Sequence, residues 1–274
     1  MKYDLSRFFM AKIVTIVNQK GGVGKTTTAV NIAAYLNKFG KRVLLIDLDP
    51  QANATSGLGI DHKNLEQSIY HTLLNLTALE KIILPTGHEH LHVAPATQEL
   101  AGARIELVGV DQREFRLQQA LESHKAQYDY VIIDCPPSLD LLTVNGLVAS
   151  DEVLIPIQSE YYALEGLGQL LGTIQLVQDH LNPGLKIMGG VITLFDQRNR
   201  LSQQVVEELY QHFPHKIFHA VVPRNVRLSE SPSYGQTILV YDPASKGAQA
   251  YEQLTQEILA LENSADVAGS ENMV

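Results

Sequence analysis

The fold of this chain is decided by the segment Ile13-Val14-Thr15-Ile16-Val17-Asn18-Gln19-Lys20-Gly21-Gly22-Val23-Gly24-Lys25-Thr26-Thr27. Its first five residues are β-branched, which is typical of a buried strand. After the glycines, apolar residues recur at helical spacing, at Ala29, Ile32, Ala33, Leu36 and Phe39. Gly40 is expected to end this helix in a left-handed conformation. The segment therefore predicts a strand, a glycine-rich turn and a helix in immediate succession.

The turn has the residue types of a phosphate loop. Glycines let backbone N–H groups turn inward around phosphate oxygens, and the helix N-terminus adds partial positive charge. In this pattern Lys25 binds the β- and γ-phosphates of ATP, and the Thr26 hydroxyl ligates Mg²⁺. The predicted nucleotide-binding residues of the loop are Lys20, Gly21, Gly22, Val23, Gly24, Lys25, Thr26 and Thr27.

The loop departs from the ordinary pattern at its start. Gln19 stands where a glycine is usual, and a second lysine, Lys20, follows it. A dinucleotide-binding turn is the competing interpretation, because Gly22-Val23-Gly24 is followed by an acid at Asp47. Thr27 replaces the third glycine of that fingerprint, so the pattern favours the phosphate loop.

The rest of the chain alternates short β-branched runs with helical stretches. This alternation predicts an α/β fold, a single-domain P-loop fold with a mostly parallel twisted sheet and helices on both faces. Further strands are predicted at 43–46, 91–93, 130–133, 153–155, 187–193 and 218–222, and further helices at 114–123, 163–180, 202–212 and 248–261.

Length and composition are consistent with one domain. The 274 residues are 45% hydrophobic, enough for a sizeable core, and no Pro/Ser/Gly-rich linker divides them. We expect an N-terminal extension at 1–9, an ATPase domain at 10–261 and a disordered acidic tail at 262–274.

Composition also excludes several classes of protein. The chain has a single cysteine, Cys135, which rules out a disulfide framework and cannot hold an iron–sulfur cluster. The low cysteine content favours a cytoplasmic location. No apolar run approaches the roughly 20 residues of a membrane span. The net charge of −9 disfavours general attraction to DNA, so any nucleic-acid role requires a local basic patch.

Three acids follow predicted strands. Asp134 ends the run Tyr130-Val131-Ile132-Ile133, where an acid can hold Mg²⁺ directly or through water. Asp47 and Asp49 close the second strand; one can contact the magnesium shell while the other orients the attacking water. Strand-end acids that cap the following turns are the alternative for all three.

Four segments together resemble the ParA/Soj family of partition ATPases, which carries a deviant Walker A motif. They are Asn18 to Thr27, Asp47-Leu48-Asp49-Pro50-Gln51, Asp134-Cys135-Pro136-Pro137-Ser138 and Pro223-Arg224-Asn225-Val226-Arg227-Leu228-Ser229-Glu230. The resemblance extends from about residue 13 to about residue 261.

The resemblance implies a role for individual residues. Lys20 is similar to the signature lysine that crosses a dimer interface to the partner's ATP, and Asp49 to the acid that positions the hydrolytic water. Asp134 resembles the Walker B acid. Pro223 and Asn225 resemble part of an adenine-recognition loop. The predicted catalytic set is Lys20, Lys25 and Asp49, and the predicted metal set is Thr26, Asp47 and Asp134.

The resemblance also implies an ATP-dependent homodimer, non-specific double-stranded DNA and a ParB-type centromere-binding protein as partners, with the protein on the nucleoid. Candidate DNA contacts are Arg198, Arg200, Arg224 and Arg227, with Lys246 less certain. Solvated side chains or surface ion pairs are the alternative for each of them, and a role in the nucleotide loop is a further alternative for Arg224.

Two other functions are compatible with the same core. A MinD-like membrane positioner would end in a basic amphipathic helix, whereas this chain ends in an acidic one, so no membrane partner is expected. A small-molecule ATP-dependent synthetase would need a substrate pocket beside the γ-phosphate, and it is the second alternative.

Overall fold

The computed structural model describes residues 10–160 and 163–271. Its strands are β1 (Lys12–Ile16), β2 (Val43–Asp47), β3 (Leu84–Pro85), β4 (Leu91–Ala94), β5 (Tyr130–Asp134), β6 (Glu152–Gln158), β7 (Lys186–Phe195) and β8 (Ile217–Pro223). Its helices are α1 (Lys25–Lys38), α2 (Asn53–Gly57), α3 (Ile69–Leu73), α4 (Leu100–Glu106), α5 (Arg116–Leu121), α6 (Leu141–Ala149), α7 (Ala163–His180), α8 (Arg200–His212), α9 (Val226–Glu230), α10 (Ile238–Tyr241) and α11 (Lys246–Glu271).

The strands form one sheet in the order β3-β4-β2-β5-β1-β6-β7-β8. All neighbouring pairs are parallel except β3 with β4. From β1 the chain first builds the sheet to one side, through β2 and β4. It later returns to insert β5 between β2 and β1, and then adds β6 to β8 on the other side of β1. The carboxyl end of β1 therefore lies at a topological switch point, the usual ligand site of an open α/β sheet.

Both faces of the sheet are covered, as the runs of apolar residues predict. Successive residues of β1 point to opposite faces, so Ile13 joins one hydrophobic cluster while Val14 and Ile16 join the other. Helices α5, α6 and α7 cover the first face, and α1 and α11 cover the second. The predicted α/β fold with a mostly parallel sheet is confirmed.

The predicted elements are present, with small differences at their ends. Gly40 has φ 81° and follows the last turn of α1, which confirms its predicted role. The helix predicted at 114–123 begins as a 3₁₀ turn at Arg113–Phe115 and continues as α5. The short β3 and the short helices α2, α3, α4, α9 and α10 were not predicted, because elements of two to seven residues carry too little periodicity. The nine-residue α6 was also not predicted; it is buried on nearly all sides and so lacks the apolar stripe of an amphipathic helix.

The last helix is longer than the sequence predicts. It continues through the predicted boundary at Glu262 as far as Glu271, instead of ending at Leu261. The segment after Leu261 contains alanines and acids and no proline, so nothing in it stops a helix before Gly269. Residues 1–9 and 272–274 lie outside the described residues, and the proposed division into extension, domain and tail stays a prediction.

The two edges of the sheet are closed in different ways. At one edge β3 has only two residues, and the second is Pro85, which has no N–H to donate. At the other edge the backbone N–H groups of His219 and Ala220 in β8 donate to the two carboxylate oxygens of Glu257, each at 2.8 Å. Glu257 lies on α11, which packs along this strand.

Candidate active site

The phosphate loop, residues 20–27, connects the end of β1 to the start of α1. Gly22 has φ 75° and Gly24 has φ 87°, in the left-handed region where a side chain is strained. A Cβ built on Gly22 would meet no atom within 4 Å, because the loop is open on that side. The loop is thus a backbone cradle, as predicted.

Side chains on both sides hold the loop in place. The Asn18 amide donates to the Pro156 carbonyl at 2.7 Å, and its oxygen accepts from the Lys20 N–H at 3.0 Å. The Lys25 ammonium donates to the Lys20 carbonyl at 3.1 Å. Burial lowers the pKa of Lys25, while the charge of Asp134 opposes this shift.

A cavity of about 480 Å³ opens in front of this loop; we call it the nucleotide cavity. Nine of the predicted residues line it: Gly21, Gly22, Gly24, Lys25, Thr26, Thr27, Asp49, Pro223 and Asn225. Lys20, Val23, Asp47 and Asp134 do not. The Val23 side chain is buried in the core, so any contact of this residue with a ligand is through its backbone.

The cavity also has walls that the sequence did not predict. They include Thr193 and Leu194 at the end of β7, Tyr251 on α11 and Pro232 before α10. Tyr251 lies in a helical apolar pattern that predicts only a core position, and it is buried with its hydroxyl 3.1 Å from that of Thr28. Leu194 has φ 52°, which is uncommon for a leucine. No sequence pattern predicts this conformation.

Asp47 is fully buried at the end of β2 and is fully hydrogen-bonded. One carboxylate oxygen accepts from the Asp49 N–H at 3.1 Å, and the other accepts from the Thr55 N–H at 2.9 Å and the Thr55 hydroxyl at 2.7 Å. Burial raises its pKa to about 6, against the effect of these bonds. This geometry favours a supporting role for Asp47 over the predicted contact with magnesium.

Asp134, its neighbour across the sheet, has the opposite environment. It is fully buried, and among the described residues neither carboxylate oxygen has a hydrogen-bond partner, although the Thr26 hydroxyl and the Lys25 ammonium lie near enough to oppose the rise in pKa that burial causes. Burial raises its pKa well above the usual value, and the charge of Asp47 adds to the shift. A buried acceptor without a partner is costly, and a cation is a suitable partner for it. The residues present therefore fit Mg²⁺, which Asp134 and the Thr26 hydroxyl would hold against the polyphosphate.

Asp49 reaches the cavity from the turn after β2. It is 8% exposed, and one of its oxygens accepts from the Gln51 N–H at 3.0 Å. The bond from its own N–H to Asp47 fixes the start of this turn. Its placement is suited to orienting a water for in-line attack on a phosphoryl group.

Pro223 and Asn225 line the opposite side of the cavity, after β8. The Asn225 side-chain oxygen accepts from the N–H groups of Arg227 and Leu228 and so caps α9. Its amide nitrogen is left to donate to a ring nitrogen or oxygen of a base. This arrangement is compatible with the predicted adenine loop.

In the single chain, Lys20 pairs with an acid of its own subunit. Its ammonium lies 2.7 Å from a carboxylate oxygen of Glu160, which follows β6. Both side chains are partly exposed, so this ion pair is weak and can be exchanged for another partner.

The four candidate arginines lie at the carboxyl edge of β7 and β8, beside the cavity. All are exposed, but their partners differ. Arg198 pairs with Asp196, and Arg227 pairs with Glu230 and Asp242. Within the described parts of the chain, Arg200 and Arg224 form no ion pair. These two are therefore the arginines available to a phosphate backbone.

Cys135 lies beside Asp134 and is buried, and burial raises the pKa of its thiol, as suits a packing residue. Among residues 10–160 and 163–271 there is no group of three His, Cys, Asp or Glu side chains that could hold a metal. Within the same ranges no helix is long and apolar enough to cross a membrane.

Comparison with known proteins agrees with this site. The family model of the AAA domain matches residues 11–187. The sporulation initiation inhibitor protein Soj of Bacillus subtilis is 57% identical over 251 residues, which are 92% of this chain and 99% of that protein. The chromosome partitioning protein ParA of Myxococcus xanthus is 54% identical over 250 residues, 91% of this chain and 88% of that protein.

A solved structure with the same fold contains the expected ligands. It is the cobyrinic acid a,c-diamide synthase of Mycobacterium smegmatis with bound ADP and magnesium. It is 38% identical with a TM-score of 0.84, covering 93% of this chain and 97% of that one. With its phosphate loop, its strand-end acids and these relatives, the chain belongs to the ParA/Soj family of partition ATPases, and it is a P-loop ATPase that uses ATP and Mg²⁺.

Proposed function

We propose that this chain is an ATP-gated DNA-partition switch of the cytoplasm and nucleoid. ATP joins two copies into a homodimer that binds double-stranded DNA without sequence preference. Hydrolysis, stimulated by a ParB-type centromere-binding protein, then releases the DNA. The identity to proteins named for chromosome partitioning, 57% and 54%, supports this function over that of the synthase, at 38%.

The observation that carries the proposal is the position of Arg224. Its neighbours on both sides, Pro223 and Asn225, line the nucleotide cavity, while Arg224 itself is exposed without an ion pair in the described chain. A nucleotide that contacts these neighbours also orders the backbone that carries the arginine. DNA affinity and nucleotide state are thereby linked through one short segment.

Dimerisation supplies the second part of the switch. Two lysines from two subunits around one triphosphate neutralise charge only while the γ-phosphate is present. Lys20 must leave Glu160 to reach the partner's nucleotide, and the exposed Lys20–Glu160 pair costs little to break. Arginines of two linked subunits then act together on one duplex, which raises the effective concentration of the second set.

The experiment is binding to a random-sequence DNA duplex with ATP, ADP or no nucleotide, at low and moderate salt. Asp49→Ala, which lacks the water-positioning acid, holds the ATP state during the measurement. We expect ATP-dependent, salt-sensitive binding that Arg224→Ala and Arg200→Ala weaken, each lowering the slope of log affinity against log salt by about 1.

Two controls separate the parts of the proposal. Arg42→Ala removes an exposed arginine that pairs with Asp129 at the amino ends of β2 and β5, whereas the candidate arginines follow the carboxyl ends of strands. This variant should leave DNA binding unchanged. Lys20→Ala should bind ATP but form neither dimers nor DNA complexes. ATP-driven dimers of Asp49→Ala that bind no DNA at either salt concentration would contradict the partition function.

A further inference from the structure

Thr193, near the end of β7, contacts the phosphate loop from across the sheet. Its hydroxyl donates to the Val23 carbonyl at 2.8 Å, between residues 170 positions apart. The Thr193 side chain is 1% exposed and Val23 is equally buried, so no water replaces this bond. This hydrogen bond directly connects the middle of the loop to the second half of the sheet.

The bond acts on the peptide that joins Val23 to Gly24. In a planar trans peptide the C=O and the following N–H point in opposite directions. Because the Val23 carbonyl is directed to Thr193, the Gly24 N–H is directed away from it, to the other side of the loop. Gly24 lines the nucleotide cavity and has φ 87°. Because glycine has no Cβ, its φ is little restricted, and the orientation of this peptide has to be held by other contacts.

The backbone around Thr193 is itself fixed. The Thr193 carbonyl accepts from the Ser159 N–H at 3.4 Å, which connects the ends of β6 and β7. The next residue, Leu194, has φ 52° and also lines the cavity. Uncommon conformations of non-glycine residues are concentrated at functional sites, where the surrounding structure holds them.

We propose that Thr193 is a positioning residue for ATP binding: its hydroxyl holds the Val23–Gly24 peptide so that the Gly24 N–H donates to a phosphate of the nucleotide. The residue acts through the backbone of the loop, since its one hydroxyl proton is committed to Val23. The proposal concerns nucleotide affinity and does not depend on DNA binding or dimerisation.

The test compares Thr193→Val, which keeps the branched shape and loses the hydroxyl, with Thr193→Ser, which keeps the hydroxyl. We expect Thr193→Val to weaken the binding of Mg-ATP and of ADP about tenfold, the effect of one lost hydrogen bond to a buried acceptor. Thr193→Ser should stay within about twofold of the wild type. In turnover, KM should rise and kcat should remain, because the phosphate contact is present in ground and transition states alike.

Thr15→Val is the matched control. Thr15 is a buried threonine of β1 whose hydroxyl donates to the Gly146 carbonyl at 3.0 Å, away from the cavity, and this carbonyl keeps a second donor in Ser150. It should lose stability without losing ATP affinity. If Thr193→Val does not fold, Thr193→Ala takes its place with the same expectation.

The proposal is wrong if a folded Thr193→Val or Thr193→Ala binds Mg-ATP as tightly as the wild type. It is equally wrong if Thr193→Ser is as weak as the valine variant, because packing and not the hydroxyl would then be responsible. Nucleotide affinity is measured on the protein without DNA, so failure of DNA binding leaves this result unaffected.

Discussion

The ends of β2 and β5 carry two acids that are alike in position and opposite in environment. Asp47 and Asp134 are paired in register on neighbouring strands, and both are fully buried. Asp47 accepts three hydrogen bonds from its own chain, whereas Asp134 accepts none. Burial at a strand end therefore does not identify a functional acid; an unsatisfied carboxylate does.

This difference determines how much the burial of each acid destabilises the folded protein. The bonds to Asp47 compensate for its burial and hold the turn that carries Asp49. Asp134 is compensated only in part, by the charge of Lys25 and the hydroxyl of Thr26, so the folded apo chain holds a costly group that a cation beside it would stabilise. Three experiments test this contrast.

Asp134→Asn should have the largest effect, with opposite signs on activity and stability. Loss of the acid that faces Mg²⁺ should lower ATP turnover roughly 100-fold. The apo protein should become more stable by about 1 to 2 kcal/mol at neutral pH, because a buried unpaired carboxylate is removed. Single-turnover hydrolysis and thermal unfolding measure the two changes.

The control is Asp151→Asn at the amino edge of the sheet, where the Asp151 carboxylate accepts from the Ile13 N–H at 2.8 Å. It should leave turnover unchanged and lower stability. A fall in the apo stability of Asp134→Asn would show that this carboxylate has a partner and would remove the contrast with Asp47.

Asp47→Asn should act mainly on stability. The amide that replaces the carboxylate would turn an N–H group toward donors of Asp49 or Thr55 that now bind a carboxylate oxygen. This mismatch should lower the free energy of unfolding by about 3 kcal/mol and Tm by roughly 5 to 10 °C. ATP affinity should be retained and kcat should fall less than in Asp134→Asn. Thr55→Ser, which keeps the hydroxyl that bonds to Asp47, is the conservative companion. Unchanged Tm together with lost magnesium dependence would instead make Asp47 a metal ligand.

The pH dependence of the apo protein gives a smaller effect. Both acids have raised pKa values, so the folded state holds protons that the unfolded state has released. The contribution of each acid to stability is complete below about pH 4. That of Asp47 is lost as pH rises through about 6, and that of Asp134 is lost as pH rises through its own raised pKa. The Tm of Asp134→Asn minus that of the wild type should therefore grow by a few degrees from pH 4 to pH 7. A flat difference would contradict the raised pKa of Asp134.

Sequence alone predicted the parts of this site that are local in the chain. The phosphate loop, Asp49 and the acid that ends β5 each lie in a short segment with a recognisable pattern. The sheet followed from the apolar runs, because strands buried on both faces are almost continuously hydrophobic.

Parts that depend on distant contacts were not predictable. Thr193 appears in sequence as an ordinary strand residue, and its bond to Val23 exists only because β7 is placed two strands from β1. Tyr251 appears as a core residue of a helix. Asp47 and Asp134 are both acids at the end of a strand, and the positions of Thr55 and of the Asp49 N–H relative to Asp47 separate their roles.

The Glu257 carboxylate of α11, which accepts from the outer strand β8, limits how copies of this chain can associate. An unpaired strand edge is a template for a further strand and so for aggregation or strand exchange. Here the N–H groups of His219 and Ala220 are occupied, and the opposite edge ends at Pro85. Both features interrupt the row of donors at an edge and so disfavour growth of the sheet by strand addition. Contacts between copies are then expected to be made by side chains, and such contacts can be formed and released repeatedly without any strand leaving its place.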